Sequence, residues 1–169
     1  MAIKPVLRMG NPLLLQRSEE ISQFNNPELD ALIKDMLDTM QAEDGAGLAA
    51  PQIGINLRLV IFGIDKNPRY PDAASIPNTI LINPIITPLD KTMEDAWEGC
   101  LSLPGLRGMV PRYLHIKYSG FDAQGNWFET EATDFHARVV QHECDHLDGI
   151  LYPQRMNDIK QFAYTEELI

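Results

Sequence analysis

The chain has 169 residues, of which 44% are hydrophobic and 22% charged, values that suit one globular domain with a buried core, residues 1–169. Its formal net charge of −10 and its lack of a Lys- and Arg-rich run exclude a general nucleic-acid binder. The longest apolar runs are strand-sized and the N-terminus lacks a signal-peptide pattern. We therefore predict a cytoplasmic protein with no membrane association.

The first predicted element is an amphipathic helix that begins after Asn26. Asn26 can cap it, Pro27 suits its first turn, and "EDGAG" ends it near residue 43. Apolar residues recur at helical spacing along one face: Leu29, Leu32, Ile33, Met36, Leu37 and Met40. The methionines of this stripe are predicted to be core residues.

Short β segments follow, around residues 57–64, 79–86, 114–120 and 126–132. The stretch 65–77, "DKNPRYPDAASIP", is predicted to be a surface loop that lines a cleft. A second helix begins near Thr133 or Asp134 and ends at Asp148-Gly149, and a short third helix follows Asn157. This order predicts an α+β fold in which mostly antiparallel strands surround the second helix.

The second helix carries the pattern "HECDH". One turn of a helix takes about 3.6 residues, so His142 and His146 project on the same face and can bind one metal ion. Glu143 lies roughly 100° away, where it can reach a metal-bound water but cannot easily be a third ligand. Phe135 and Val139 extend the histidine face as an apolar wall.

Three candidates for a third ligand can be compared. A metzincin would place a histidine at position 152, which is Tyr152. Glu166 has the spacing of a thermolysin-type ligand, but the Ser-Asp that normally follows it and the large upstream domain are missing. The third candidate is Cys100 in "EGCLSLPG", a soft ligand for a divalent ion.

Three motifs occur in the order and spacing of a known family: "GAGLAAPQIG" (45–54), "EGCLSLPG" (98–105) and "QHECDHLDG" (141–149). With "LINP" (81–84) and "RGMVPRYLHIKY" (107–118), they resemble the peptide deformylases over nearly the whole chain. That family removes the formyl group from the N-terminal formylmethionine of new polypeptides.

The resemblance implies that Cys100, His142 and His146 hold one divalent metal, with water in the fourth position. Fe(II) is the expected native ion, and zinc, nickel or cobalt can substitute. The metal-bound water attacks the formyl carbon, and Glu143 takes its proton and later delivers it to the departing amine. The Gln52 side chain and the Leu101 backbone N–H are implied as donors to the developing oxyanion.

Other roles also follow from the resemblance. The backbone of Ala46, Gly47 and Gly99 pairs with the substrate as an added strand. Phe135 and Val139 form the methionine pocket, although core packing explains either residue equally well. Three polar residues are expected to support the site from behind: Glu98 paired with Arg112, and Gln141. Cys144 is predicted to be a core thiol.

The expected partners are N-formylmethionyl nascent peptides. The C-terminal segment holds Glu166 and Glu167 against Lys160, so it lacks the basic ribosome-docking helix of some family members, and only transient proximity to the ribosome is expected.

Two other functions compete with this one. A cysteine hydrolase would use Cys100 as nucleophile and should survive a chelator. A zinc-stabilised binding module would need a fourth protein ligand, and the remaining histidines, His115 and His136, are poorly placed for it.

Overall fold

The computed structural model describes residues 2–168, in which two α-helices pack against two antiparallel β-sheets. The first sheet has the order β1-β2-β3-β6-β7 and the second the order β4-β5-β8. The strands are β1 (Gly47–Ala49), β2 (Leu59–Ile64), β3 (Ile76–Pro88), β4 (Met93–Cys100), β5 (Leu103–Tyr113), β6 (His115–Phe121), β7 (Trp127–Thr133) and β8 (Phe162–Tyr164). The predicted α+β class with mostly antiparallel sheets is confirmed.

The first helix, α1, spans Pro27–Ala42. The Asn26 side chain accepts a hydrogen bond of 2.9 Å from the Leu29 N–H, which satisfies one of the free donors at the helix start. Met36 and Met40 are buried, as the apolar stripe predicts, whereas Leu37 at the edge of the stripe is 36% exposed. The helix packs on β1 and β2 and covers one face of the first sheet.

The second helix, α2, spans Asp134–Leu147 and lies between the two sheets. Thr133 is its cap residue but makes no side-chain capping bond, and Gly149 follows the helix with φ of 71°, a left-handed conformation that suits glycine. Every residue from Ala137 to Leu147 is buried. Because polar residues are buried on all faces of α2, their side chains must find partners inside the protein.

Four predicted strand segments correspond to β2, β3, β6 and β7, but the strands of the second sheet were not predicted. The loop predicted for 65–77 is shorter, because β3 already begins at Ile76. After Asn157 the structure has two 3-10 turns, Ile159–Gln161 and Thr165–Glu167, in place of an α-helix, since the residues between them pair with β5 as β8. Neither α-helix is long and apolar enough to cross a membrane within the described residues.

The second sheet positions Cys100. Strands β4 and β5 form a hairpin whose last pair is Cys100 with Leu103, and the register shifts between Glu98 and Cys100. Such an irregularity is a way to re-aim a side chain at the end of a ladder. It leaves Cys100 at the tip of the hairpin, facing α2.

Candidate metal centre

Three side chains that are distant in sequence converge between β4 and α2. The ligand atoms of Cys100, His142 and His146 all lie within 4.8 Å of one another. The Sγ of Cys100 is 3.4 Å from Nε2 of His146, and the two imidazole rings are 5.2 Å apart. Among residues 2–168, this is the one group of at least three such side chains that could hold a metal ion.

The donor set fits a divalent transition metal. One thiolate sulfur and two imidazole nitrogens form the kind of mixed, partly soft ligand set that zinc and iron accept. Burial, with the charges of His142 and Arg112, lowers the pKa of His146 well below its usual range, so its imidazole is neutral and has a lone pair for a metal. Three protein ligands leave a coordination position free, as catalytic sites require.

The imidazole of His142 is oriented by the buried carboxylate of Glu98. Nδ1 of His142 is 2.7 Å from Oε1 of Glu98, which leaves Nε2 for the cluster. Burial alone would lower the pKa of His142, but hydrogen bonds and charges from Cys100 and Glu98 outweigh it and raise that pKa well above the ordinary value. Without a metal this imidazole therefore holds a proton, which a bound cation would displace.

Glu98 in turn is held by two arginines. Arg112 donates from Nε and Nη2 to its two carboxylate oxygens at 2.8 and 2.9 Å, and Arg138 donates from Nη1 at 2.8 Å. Burial would raise the pKa of Glu98, but hydrogen bonds from Arg112 and His142 hold it well below its usual range. The carboxylate is thus ionised and its lone pairs are occupied, as a buried charge requires.

The pairing of Glu98 with Arg112 was expected, whereas the other members of this network were missed. Arg138 also donates to the carbonyls of Val110 and Glu94, at 2.6 Å each, and so ties α2 to the β4–β5 hairpin. Asp145 accepts from Arg112 at 2.6 Å and from Arg155 at 2.9 Å. Arg138 lies four residues before His142, a spacing that could have placed it beside the site.

The amide of Gln52 lies against Cys100. Its Nε2 is 3.6 Å from the Cys100 sulfur and 3.1 Å from the Ser102 hydroxyl, while its Oε1 accepts from the Ala49 N–H at 2.9 Å. The Ser102 N–H also points at the sulfur, at 3.4 Å. Ser102 was not singled out from sequence, although it lies two residues after the cysteine. Donors of this kind orient and stabilise a thiolate ligand.

Glu143 is buried beside the cluster, and its Oε2 has no hydrogen-bond partner among the described residues. Burial raises the pKa of Glu143 to about 7. A divalent cation held nearby would lower that pKa, because opposite charge favours the carboxylate. A buried carboxylate without a partner, at the edge of a cavity, has the capacity to accept a proton from a water molecule.

Gly47 makes room for that carboxylate. A Cβ on Gly47 would lie 2.5 Å from Oε1 of Glu143, too close for any real contact. We therefore expect Gly47→Ala to displace the Glu143 side chain and lower turnover by about 10²-fold, a typical cost of misplacing a reacting group by about 1 Å. The measurement is turnover of a formyl-Met tripeptide beside a metal count, which should not change.

The double variant Gly47→Ala, Glu143→Gln separates this cause from a loss of substrate binding. If the alanine acts through Glu143, it should add little in the Glu143→Gln background, because two changes to one unit are not additive. An equal loss of turnover in both backgrounds would show that the alanine instead disturbs the pairing of the Ala46 and Gly47 backbone with the peptide.

A cavity opens in front of the cluster. It is lined by every residue that was expected to bind substrate: Ala46, Gly47, Gly99, Phe135 and Val139. Gln52, Leu101 and Glu143 also line it, together with Arg69 and Tyr70 from the loop that was expected to border a cleft. The Tyr70 and Phe135 rings pack with centroids 5.1 Å apart, so the loop forms part of the apolar wall.

Other polar residues have structural roles. Gln141 accepts from the Tyr113 N–H at 3.1 Å and donates to its carbonyl at 2.8 Å, which ties α2 to the end of β5. Cys144 lies in the core, and burial raises the pKa of its thiol. His115 is 3.2 Å from Glu131 and His136 is 3.2 Å from the Tyr118 hydroxyl, so neither joins the metal cluster.

A family model for polypeptide deformylase matches residues 3–162. The chain belongs to the polypeptide deformylase family. It is 61% identical over 166 residues to peptide deformylase 1 of Nitrosomonas europaea, covering 98% of this chain and 94% of that protein. It is 60% identical to peptide deformylase 1 of Bordetella pertussis over the same shares of both chains.

Solved structures of peptide deformylases share the fold. A class I type b peptide deformylase from Acinetobacter baumannii, determined with Met-Ala-Ser bound, is 38% identical with a TM-score of 0.88. The match covers 92% of this chain and 99% of that one. The Synechococcus elongatus peptide deformylase in complex with actinonin has a TM-score of 0.84 at 34% identity, covering 95% and 84% of the two chains.

Membership in the polypeptide deformylase family decides between the competing functions. Peptide deformylases are metal-dependent hydrolases, which argues against a cysteine hydrolase and against a non-enzymatic zinc module. The absence of a fourth ligand beside the cluster, among the residues that the structure describes, argues against a closed structural metal site as well.

Proposed function

We propose that this chain, as one catalytic domain over residues 1–169, removes the formyl group from the N-terminal formylmethionine of newly synthesised polypeptides. The observation that carries the proposal is the convergence of Cys100, His142 and His146 beside a cavity that the Glu143 carboxylate, with its unpartnered Oε2, also lines. Helix α2 supplies both histidines and the carboxylate on one rigid, buried element.

We assign the metal ligands as Cys100, His142 and His146, and the native ion as Fe(II), with zinc, nickel or cobalt as substitutes. When bound, a divalent ion lowers the pKa of a coordinated water and polarises the formyl oxygen. Glu98 and Arg112 act behind the ligands, since they fix the ring of His142 and leave its Nε2 for the ion.

The chain's own groups handle the proton and the developing charge. Glu143 accepts a proton from the attacking water and delivers it to the amine that leaves, and its raised pKa suits a group that works in both directions. The Gln52 amide and the Leu101 backbone N–H, both at the cavity wall, donate to the oxyanion that forms on the formyl oxygen.

The cavity wall accounts for substrate binding. The backbone of Ala46 and Gly47 on one side and of Gly99 on the other can pair with an extended peptide. Phe135 and Val139 provide an apolar surface beside the cluster for the methionine side chain. A bound Met-Ala-Ser peptide in the Acinetobacter baumannii relative supports a peptide that begins with methionine.

The expected partners are nascent peptides in the cytoplasm. The net charge of −10 speaks against direct nucleic-acid binding. Encounters with the ribosome are therefore expected to be transient.

Formate release from formyl-Met-Ala-Ser tests the function and the metal requirement together. The purified protein should release formate, lose activity when a chelator strips its metal, and regain it with Fe(II) or Ni(II). Activity that survives complete metal removal would point to a cysteine hydrolase, and a fully metallated protein that releases no formate would overturn the proposed activity.

The same reconstituted samples test the choice of iron. A thiolate-held Fe(II) site should lose activity in air, through oxidation of the iron or of Cys100, and a nickel-loaded sample should be protected. Equal rates of loss for both samples would count against iron oxidation as the weak point.

A further inference from the structure

Two arginines flank Tyr70 at the mouth of the cavity. The guanidinium carbon of Arg69 is 5.5 Å from the Tyr70 ring centroid, and that of Arg107 is 5.9 Å away. These cation–π contacts hold both charges against a ring that itself packs on Phe135, in the wall of the cavity. The two guanidinium groups are thereby fixed beside the route into the site.

Neither guanidinium has a carboxylate partner. Within residues 2–168, the arginines that form ion pairs with carboxylates are Arg17, Arg58, Arg112, Arg138 and Arg155. Neither Arg69 nor Arg107 takes part in such a pair. Both side chains are only partly exposed. The chain has 24 acidic and 14 basic residues, so its surface is acidic on the whole. Two arginines without a carboxylate partner give this opening more positive charge than that average.

Their position follows the direction of the substrate chain. Nη2 of Arg69 is 3.4 Å from the place a Cβ on Gly99 would take, and Cγ of Arg107 is 3.8 Å from it. Gly99 is proposed above to pair with the substrate. Arg69 lines both the inner cavity and an adjoining outer groove. The cavity and the groove also share Cys100 and Leu101, whereas Arg107 lines only the outer groove.

A peptide whose formylmethionine lies at the cluster and whose backbone pairs with Gly99 runs beside this opening, because both arginine side chains lie next to Gly99. The residues that follow methionine therefore pass the two guanidinium groups, which can form charge-assisted hydrogen bonds with a carboxylate. Glu43 lines the outer groove as well and would repel an acidic side chain that extended that far. An acidic residue close to the methionine is thus favoured over one farther along the peptide.

We propose that Arg69 and Arg107 select substrates with an acidic side chain at one of the two residues after formylmethionine. The inference rests on the proposed deformylase function and adds a substrate class to it. A different role for Arg69, hydrogen bonding to peptide carbonyls, would affect every substrate equally.

The test compares matched peptides with amidated C-termini, so that no terminal carboxylate competes. The pairs are formyl-Met-Glu-Ser with formyl-Met-Gln-Ser, and formyl-Met-Ser-Glu with formyl-Met-Ser-Gln. We expect kcat/KM to favour Glu over Gln about fivefold in at least one pair at low ionic strength, the effect of a partly exposed ion pair of about 1 kcal/mol. The preference should shrink as salt is added.

Arg69→Met and Arg107→Met should each lower the Glu-to-Gln ratio toward one. Lys66→Gln is the matched control, because it removes one positive charge from the same loop at a residue that lines neither cavity. A Glu-to-Gln ratio near one in the unaltered protein, a preference that salt does not change, or an equal effect of Lys66→Gln would overturn the proposal.

Amidated formyl-Met-Ala-Ser separates a failure of the deformylase activity from a failure of the selection for acidic peptides. If the protein fails to deformylate this neutral peptide, the proposed function itself is wrong. If it does deformylate it and shows no preference within the pairs, only the selection by Arg69 and Arg107 is wrong.

Discussion

Glu143→Gln should abolish most turnover while the protein keeps its metal, its fold and its affinity for peptide. Glutamine has nearly the same shape but cannot accept a proton, so the contribution of a positioned acid–base, about two to four orders of magnitude in rate, should disappear. The buried Oε2 has no partner in the described structure, so the substitution breaks no hydrogen bond of that atom. The measurement is turnover of a formyl-Met tripeptide beside a metal count on the same sample.

Peptide binding gives the control for this variant. Because the peptide is proposed to be held by the backbone of Ala46, Gly47 and Gly99, which line the cavity, its affinity should change little, and crystals of Glu143→Gln could trap the formyl peptide intact. A variant that keeps most of its turnover, or one that loses the metal, would show that Glu143 is not the base.

Replacing any one of Cys100, His142 and His146 by alanine should remove metal and activity together. Two remaining ligands hold a divalent ion poorly, and the loss of metal removes several kcal/mol of transition-state stabilisation, about 10³-fold or more in rate. Metal content by elemental analysis and formate release should fall in parallel.

The chain offers matched controls of the same residue types. Cys144→Ala removes a buried thiol, and His136→Ala removes a half-buried imidazole, in both cases outside the metal cluster. Both variants should keep stoichiometric metal. A His146→Ala protein that is fully metallated and active would disprove the ligand assignment.

Much of the fold and of the site could be predicted from the sequence because the relevant signals are local. Helix α1 follows from its cap at Asn26 and its apolar spacing, and β2 and β3 from their apolar runs. The pairing of His142 with His146 on one face is a property of helix geometry alone. Cys100 entered through the resemblance to a family, since nothing local relates it to two histidines that lie more than 40 residues away in the sequence.

The second sheet shows where local signals end. Strand β4 reads "MEDAWEGC" and is exposed along most of its length, so it lacks the alternation of a half-buried strand. Strands β4 and β5 are neighbours in sequence and their backbone groups satisfy one another, but this pairing is supported by the non-local packing of the hairpin against α2. That pairing places Cys100 opposite the histidines.

The sequence by itself determined the chemical groups of the site, their order on α2 and the class of fold. Only the tertiary structure decided which polar residues are buried around those groups. Arg138 and Asp145 look like solvent-facing helix residues, yet the two sheets enclose α2, and a buried charge is stable only with a partner. Burial depends on what packs against a residue from elsewhere in the chain, which local patterns do not contain.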